Sequence, residues 1–234
     1  MIEVNNVSKA FKKQQVLEDI NVNFEPGEIV GLIGPSGTGK TTFIQCILGM
    51  EHTDTGWVTI NEKSIPNRKV LKDIGYMAQS DALYEDLTGK ENLKFFAGIY
   101  IKKRKHIRDR VKICSEMVNL EDALNKKVKH YSGGMKRRLS LAISFLQDPA
   151  VLILDEPTVG IDPKLRQAVW HDLNLAKEQG KSIIVTTHVL DEATKCDRLV
   201  LMNHGRIITT GTPEEIKQQY HTDTIEGVFL NMEE

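Results

Sequence analysis

Residues 34–42 read Gly34-Pro35-Ser36-Gly37-Thr38-Gly39-Lys40-Thr41-Thr42, directly after the apolar run Glu28-Ile29-Val30-Gly31-Leu32-Ile33. Glycine costs conformational entropy on folding, so such a cluster beside an apolar run asks for a compensating role. The stretch matches G-x-x-x-x-G-K-[ST] from Gly34 to Lys40-Thr41. Glycines let the backbone curl until several N–H groups face one anion. Lys40 then reaches the β- and γ-phosphates, and the Thr41 hydroxyl ligates Mg²⁺. A helix predicted over Lys40–Leu48 directs its positive end at the same phosphates. The competing reading is a plain glycine-rich turn; the apolar strand before the motif favours nucleotide binding. Which nucleotide, and to what end, the motif leaves open.

The chain has 234 residues, enough for one large domain or two small ones, and 40% are apolar, enough for a packed core. Its formal net charge is −1, without the basic excess of a dedicated nucleic-acid binder. Cys46, Cys114 and Cys196 are scattered and odd in number, with no CxxC, which points to a reducing compartment and no disulfide or zinc framework. Met1-Ile2-Glu3-Val4-Asn5-Asn6 lacks a signal-peptide layout. No apolar run approaches the roughly 18–20 residues of a membrane span. The expectation is a protein soluble by itself that meets a membrane only through a partner.

Ile2, Val4 and Val7, then Val16-Leu17, Ile20, Val22 and Phe24, alternate as paired strands do. Pro26-Gly27 marks a turn before a strand at Glu28–Ile33. Further strands are predicted at Trp57–Ile60, Ile74–Met77, Val151–Leu154, Ile183–Thr186, Leu199–Met202 and Ile207–Thr209. The unbroken apolar runs among them suit a parallel sheet covered on both faces. From about Leu87 to Leu146 the pattern is helical, and the basic run Lys102-Lys103-Arg104-Lys105 reads as a solvated helix face, with a lipid or partner contact as the alternative. A helix over Pro163–Gln179 has Asp162 as N-cap, Pro163 at its first position and Gly180 as its stop. Ile225, Val228, Phe229 and Met232 share the spacing of a short amphipathic tail helix. The expected organisation is a sheet-rich core over residues 1–84 and 148–217, a helical insertion over 85–147 and a tail over 218–234.

Asp155 and Glu156 end the run Val151-Leu152-Ile153-Leu154, and ligands of open α/β sheets sit at the carboxyl ends of strands. Asp155 is placed to hold Mg²⁺, and Glu156 to orient or deprotonate an attacking water, a contribution on the order of 10²–10⁴-fold in rate. As loop residues alone they would merely face solvent; the phosphate loop upstream favours chemistry. Phosphoryl transfer needs alignment and charge stabilisation at the γ-phosphate, so further polar groups are expected, some from a second subunit.

Tyr131-Ser132-Gly133-Gly134-Met135-Lys136-Arg137-Arg138 opens another helix whose start suits an anion, although read alone it is a helix cap. With this motif in order after the phosphate loop and before the carboxylates, nearly the whole chain resembles the nucleotide-binding subunit of ATP-binding cassette transporters. The resemblance implies a P-loop NTPase α/β core with a mostly parallel sheet, an N-terminal antiparallel β-subdomain and an inserted α-helical subdomain. It implies that Phe11 stacks on adenine and that Gly34, Pro35, Ser36, Gly37, Thr38, Gly39, Lys40, Thr41 and Thr42 bind the ATP phosphates. Gln79 senses Mg²⁺ and water and faces a membrane partner; Thr41, Gln79 and Asp155 form the metal set. Ser132, Gly133 and Gly134 contact ATP held by the opposite subunit, and Val159-Gly160-Ile161-Asp162 crosses that interface. Glu156 is the catalytic base, and His188 contacts the γ-phosphate. Each has a plainer alternative: Phe11 as core, Gln79 as a polar loop residue, Asp162 as N-cap and His188 as structural.

The usual family signature begins with Leu and has Gln at its fifth place, where this chain has Tyr131 and Met135. The interface loop usually begins Ser-Ala, here Val159-Gly160. The serine and glycines are intact, so ATP contact is expected to stand. Tyr131 to Arg138, with Leu83-Tyr84-Glu85-Asp86-Leu87-Thr88, Glu91-Asn92-Leu93 and Ile225-Glu226-Gly227-Val228-Phe229-Leu230, is similar to ATPases of bacterial drug, bacteriocin-resistance and sodium exporters. The implied partners are a second ATP-binding subunit, identical or related, and an integral membrane permease at the cytoplasmic face of the cell membrane. A soluble cassette ATPase acting on DNA or the ribosome would instead carry long coiled coils or two cassettes. A regulatory module without hydrolysis would not need Glu156 and His188. A GTPase switch would need an aspartate that Asn125-Lys126-Lys127-Val128 lacks.

Overall fold

The computed structural model describes residues 1–231, so Met232 of the expected tail helix lies outside the described residues. The chain forms two compact units. One runs from Met1 to Val70 and resumes from Ser182 onward; the other spans Leu71–Lys181. The strands Ile74–Met77 and Val151–Asp155 thus cluster with the helices between them.

In the first unit, β1 (Ile2–Phe11) and β2 (Gln14–Phe24) pair antiparallel, with Ile2 opposite Phe24 and Phe11 opposite Gln14. Their alternating apolar positions bury Ile2, Val4, Val7, Leu17, Ile20 and Phe24. Gly27, at φ 78°, turns the chain into β3 (Ile29–Ile33), every residue of which is buried. α1 (Lys40–Leu48) follows with the predicted boundaries, burying Phe43, Ile44, Cys46, Ile47 and Leu48. Its C-terminus closes on Gly49 at φ 69°, whose N–H donates to the Cys46 carbonyl, 3.1 Å. β4 (Thr55–Ile60) pairs antiparallel with β1 and with β5 (Lys63–Ser64), giving the order β2-β1-β4-β5. β5 was not foreseen, because two exposed residues carry no alternation.

In the second unit, β6 (Ile74–Met77) and β7 (Val151–Asp155) pair in parallel, Ile74 with Val151 and Met77 with Leu154. Between them run α2 (Gly89–Tyr100), α3 (Arg104–Met117) and α4 (Gly133–Ser144). α2 starts in a reciprocal cap. The Thr88 hydroxyl accepts the Glu91 N–H at 3.2 Å, and the Glu91 carboxylate accepts the Thr88 N–H at 2.8 Å. Residues 102–105 are exposed around the start of α3, which buries Val111, Cys114 and Ser115 on its other side. α5 (Pro163–Glu178) begins as expected, with Asp162 Oδ1 accepting the Leu165 N–H at 3.0 Å.

Back in the first unit, β8 (Ser182–Thr186) leads through the short α6 (Leu190–Ala193) to β9 (Arg198–Asn203). β8 and β9 flank β3, both parallel to it, pairing Ile29 with Ile183 and Gly31 with Leu199. β10 (Arg206–Gly211) is antiparallel to β9. α7 (Pro213–Gln219) was not foreseen, although Thr212 and Glu215 cap it as Thr88 and Glu91 cap α2. α8 (Ile225–Asn231) buries Ile225 and Val228, the expected apolar face of the tail.

All three thiols are buried and free. Burial is the main force that pushes Cys46 and Cys114 up to about 11 and Cys196 up to about 12. Only the thiolate attacks a disulfide reagent. At pH 8 the native protein is therefore expected to leave dithionitrobenzoate unreacted, and all three thiols to react once urea unfolds the chain. Rapid titration of any of them in the native state would contradict this packing.

Candidate nucleotide-binding and hydrolysis site

In the first unit, β3 ends at Ile33 and the chain opens into the phosphate loop. Gly34 sits where a Cβ would lie 2.2 Å from the Met202 carbonyl oxygen at the end of β9, so no side chain fits. Thr38 is buried and holds the turn, its hydroxyl donating to the Pro35 carbonyl at 2.9 Å. Pro35, Ser36 and Gly37 are exposed around it. The Lys40 ammonium folds over the loop and donates to the carbonyls of Gly34 at 2.6 Å and Pro35 at 2.9 Å. Gly39, at φ 97°, is the N-cap of α1, and no acid stands in the first turn to compete for the helix N–H groups. Thr41 is exposed on that turn and Thr42 half-buried.

Two more expected residues belong to this unit. Phe11 is exposed at the end of β1, with the Lys9 ammonium 5.1 Å from its ring centroid, so the core alternative for Phe11 does not hold. His188 is exposed just past β8. The turn that presents it is fixed by buried Thr187, whose hydroxyl donates to Glu192 Oε2 at 3.0 Å and accepts the Val189 N–H at 3.0 Å.

In the second unit, β7 delivers Asp155, only 6% exposed, and then half-buried Glu156. Glu156 has φ 53°, a left-handed conformation that a non-glycine residue adopts at a cost of about 1–3 kcal/mol. β6 delivers exposed Gln79 two residues beyond Met77. Ser132 is the N-cap of α4, its hydroxyl accepting the Met135 N–H at 3.2 Å, so the plainer cap role is present whatever else the serine does. Gly133 is open, while a Cβ on Gly134 would lie 2.9 Å from the Gly160 carbonyl; the serine-glycine start of α4 thus lies against the loop that leads to Asp162.

One arginine, to which no role was assigned from the sequence, ties these pieces together. Arg137 is 7% exposed on α4. It donates to the main-chain carbonyls of Ala78 (2.8 Å), Gln79 (3.1 Å), Asp155 and Glu156 (2.7 Å from Nη2, 3.2 Å from Nε). Asp81 lies 3.7 Å from Nη1 and accepts the Ser140 hydroxyl at 2.6 Å. Burial pushes the guanidinium pKa down, and the carboxylates of Asp81, Asp155 and Glu156 push it back up. An arginine stays protonated through such opposing forces. Its only sequence signal was position: it lies four residues before Leu141, on the buried side of α4.

The two left-handed glycines of the phosphate loop predict different mutational costs. Gly37→Ala meets no atom within 4 Å and carries backbone strain alone, about 1–2 kcal/mol of unfolding free energy. Gly39→Ala adds a collision with the Val16 carbonyl, 2.7 Å from the new Cβ, and is expected to cost more. Urea unfolding of the two variants checks the order; equal costs would remove the steric argument.

Residues 17–159 match the family model described as ABC transporter. Nod factor export ATP-binding protein I of Burkholderia lata is 38% identical over 229 residues, covering 96% of this chain and 75% of that protein. The probable multidrug ABC transporter ATP-binding protein YbhF of Escherichia coli is 34% identical over 239 residues, covering 99% of this chain and 41% of that protein. Among solved structures, an ATP binding subunit of an ABC transporter superposes with a TM-score of 0.93 over the whole of both chains, at 30% identity. A dimeric post-hydrolysis state of the ATP-binding cassette MJ0796, bound to ADP and Pi, superposes with a TM-score of 0.84 at 27% identity, covering 91% of this chain and 98% of that one. The chain therefore belongs to the ABC transporter family, with its α/β P-loop NTPase fold, as an ATP-binding subunit and ATP hydrolase of the exporter type.

Proposed function

We propose that two ATP-binding subunits close head to tail around two MgATP and that this cycle drives export through a separate membrane subunit. The phosphate loop carries the reading: a main-chain cradle between buried β3 and the N-terminus of α1, with Lys40 beside it. In this reading Gly34 to Thr42 hold the triphosphate and Phe11 stacks on the base. His188 binds the γ-phosphate, and Glu156 takes a proton from the attacking water. Ser132, Gly133 and Gly134 contact the nucleotide of the opposite subunit, with Asp162 at the same interface. ATP then acts as a cross-link, because its γ-phosphate has ligands on both sides, and hydrolysis releases it.

The donor set fits Mg²⁺. Thr41, Gln79 and Asp155 offer hard oxygens, as that ion prefers. Its chemistry would be to neutralise charge on the phosphates.

Among the described residues no helix is long and apolar enough to cross a membrane. The exporter direction is supported by the names of relatives, which read Nod factor export and multidrug. In this reading Gln79 and the helical insertion over residues 85–147 face that membrane subunit.

Glu156→Gln is expected to keep ATP binding, lower turnover by about 10²-fold or more, and make the MgATP dimer persist on size-exclusion chromatography. Native turnover in that variant would remove the base assignment. Ser132→Arg is expected to abolish MgATP-driven dimerisation while nucleotide binding to the monomer survives. If the dimer still forms, the cross-subunit role of the signature is wrong.

A further inference from the structure

Arg137 makes no use of solvent. Every N–H of its guanidinium meets a main-chain carbonyl, and those carbonyls belong to two separate loops, Ala78 and Gln79 after β6 and Asp155 and Glu156 after β7. These are the loops that carry Gln79 and Glu156. We propose that Arg137 is a positioning residue for ATP hydrolysis, its planar fork locking the main chain of both loops so that the Glu156 carboxylate and the Gln79 amide stand where they act. The inference rests on the roles given above to Glu156 and Gln79.

Three observations carry it. Glu156 is held in a left-handed conformation, φ 53°, and its carbonyl receives two of the guanidinium bonds. The same carbonyl accepts the Val159 N–H at 3.3 Å, and a relaxation of Glu156 to negative φ would swing its carboxylate away. The arginine is itself fixed: Asp81 lies 3.7 Å from Nη1 and is held in turn by the Ser140 hydroxyl, one helical turn along α4. Finally, α4 begins at Ser132, so the helix that carries the signature serine also sets the backbone of the catalytic carboxylate. The fork geometry makes a lysine a poor replacement, since a single ammonium is a point donor that cannot span two loops in one plane.

The carbonyls that Arg137 holds belong to the segments carrying Gln79 and Glu156, so a positioning role separates turnover from binding. In steady-state ATPase assays on the full chain, Arg137→Gln is expected to lower kcat by about 10-fold or more while KM for ATP stays within about two-fold, and Arg137→Lys to fall between it and the native protein. Circular dichroism confirms that each variant is folded. Should Arg137→Gln fail to fold, Asp81→Asn removes the charge that steadies the guanidinium and is expected to lower kcat several-fold at constant KM. Native kcat in a folded Arg137→Gln or Asp81→Asn, or a loss of kcat matched by an equal rise in KM and a loss of nucleotide affinity, overturns the proposal. Glu156→Gln is run in parallel. If it turns over at the native rate, the base assignment itself fails; if it is inactive while Arg137→Gln is active, only the positioning role fails.

Discussion

The structure depends on strands that have no face or edge left for polar side chains. β3 has β8 on one edge and β9 on the other, and all of its residues are buried. A strand in that position cannot carry functional groups along its length, because each would be desolvated without a partner. It can deliver them only where the ladder stops. There the backbone emerges with unpaired N–H groups, and the next helix adds the four that its first turn leaves unsatisfied. The phosphate loop is the consequence: its chemistry is main-chain chemistry, and the Met202 carbonyl against Gly34 forbids a side chain at its first turn. β7 repeats the constraint in the other unit, with Val151 to Leu154 buried before the first carboxylate appears.

Strand ends raise a second problem. Carbonyls just past β6 and β7 have no ladder partners, yet Asp155 and Met77 beside them are buried. An orphaned buried carbonyl costs about 1–3 kcal/mol. A buried guanidinium has the opposite need, since it tolerates burial only when its donors are satisfied. Arg137 and the two strand ends satisfy each other, which accounts for a full charge inside the unit without a bidentate carboxylate partner; Asp81 stands at 3.7 Å, a supporting rather than a primary contact.

What the sequence made legible follows the same division. Unbroken apolar runs marked β3, β7 and β8, because a strand covered on all sides must be apolar throughout. α5 was readable from Asp162 and Pro163 because capping is local chemistry, and Asp162 does accept the Leu165 N–H. α7 carried an equally local signal in Thr212 and Glu215, the same four-residue cap seen at Thr88 and Glu91, and was passed over because its apolar face is only Pro213 and Ile216. β5 had no signal to give. The left-handed backbone of Glu156 was hidden too: that conformation is announced by glycine or asparagine, and a glutamate there reflects tertiary contacts, not local preference. Arg137 was hidden most completely, since Lys136-Arg137-Arg138 has the composition of a solvated face. Lys136 does reach exposed Glu85, and Arg138 donates to the carbonyls of Val118 and Asn119, while Arg137 alone turns inward.

The departures from the usual signature have a packing account. Tyr131, where the family pattern has leucine, is buried, and its hydroxyl donates to the Ala123 carbonyl at 2.7 Å. Burial pushes its pKa up, which keeps the hydroxyl a donor. A Cβ on Gly89 would lie 2.2 Å from that oxygen, so the first residue of α2 is bare where the tyrosine enters. The position still fills apolar space, as leucine would, and adds a tether between the start of α4 and the segment after α3. Met135 contributes its main-chain N–H to Ser132 Oγ, a bond to which the identity of its side chain is indifferent. The substitution at Tyr131 therefore falls on the side of the motif that packs within this unit. The exposed Ser132 and Gly133, the groups proposed to meet a nucleotide, retain the family pattern.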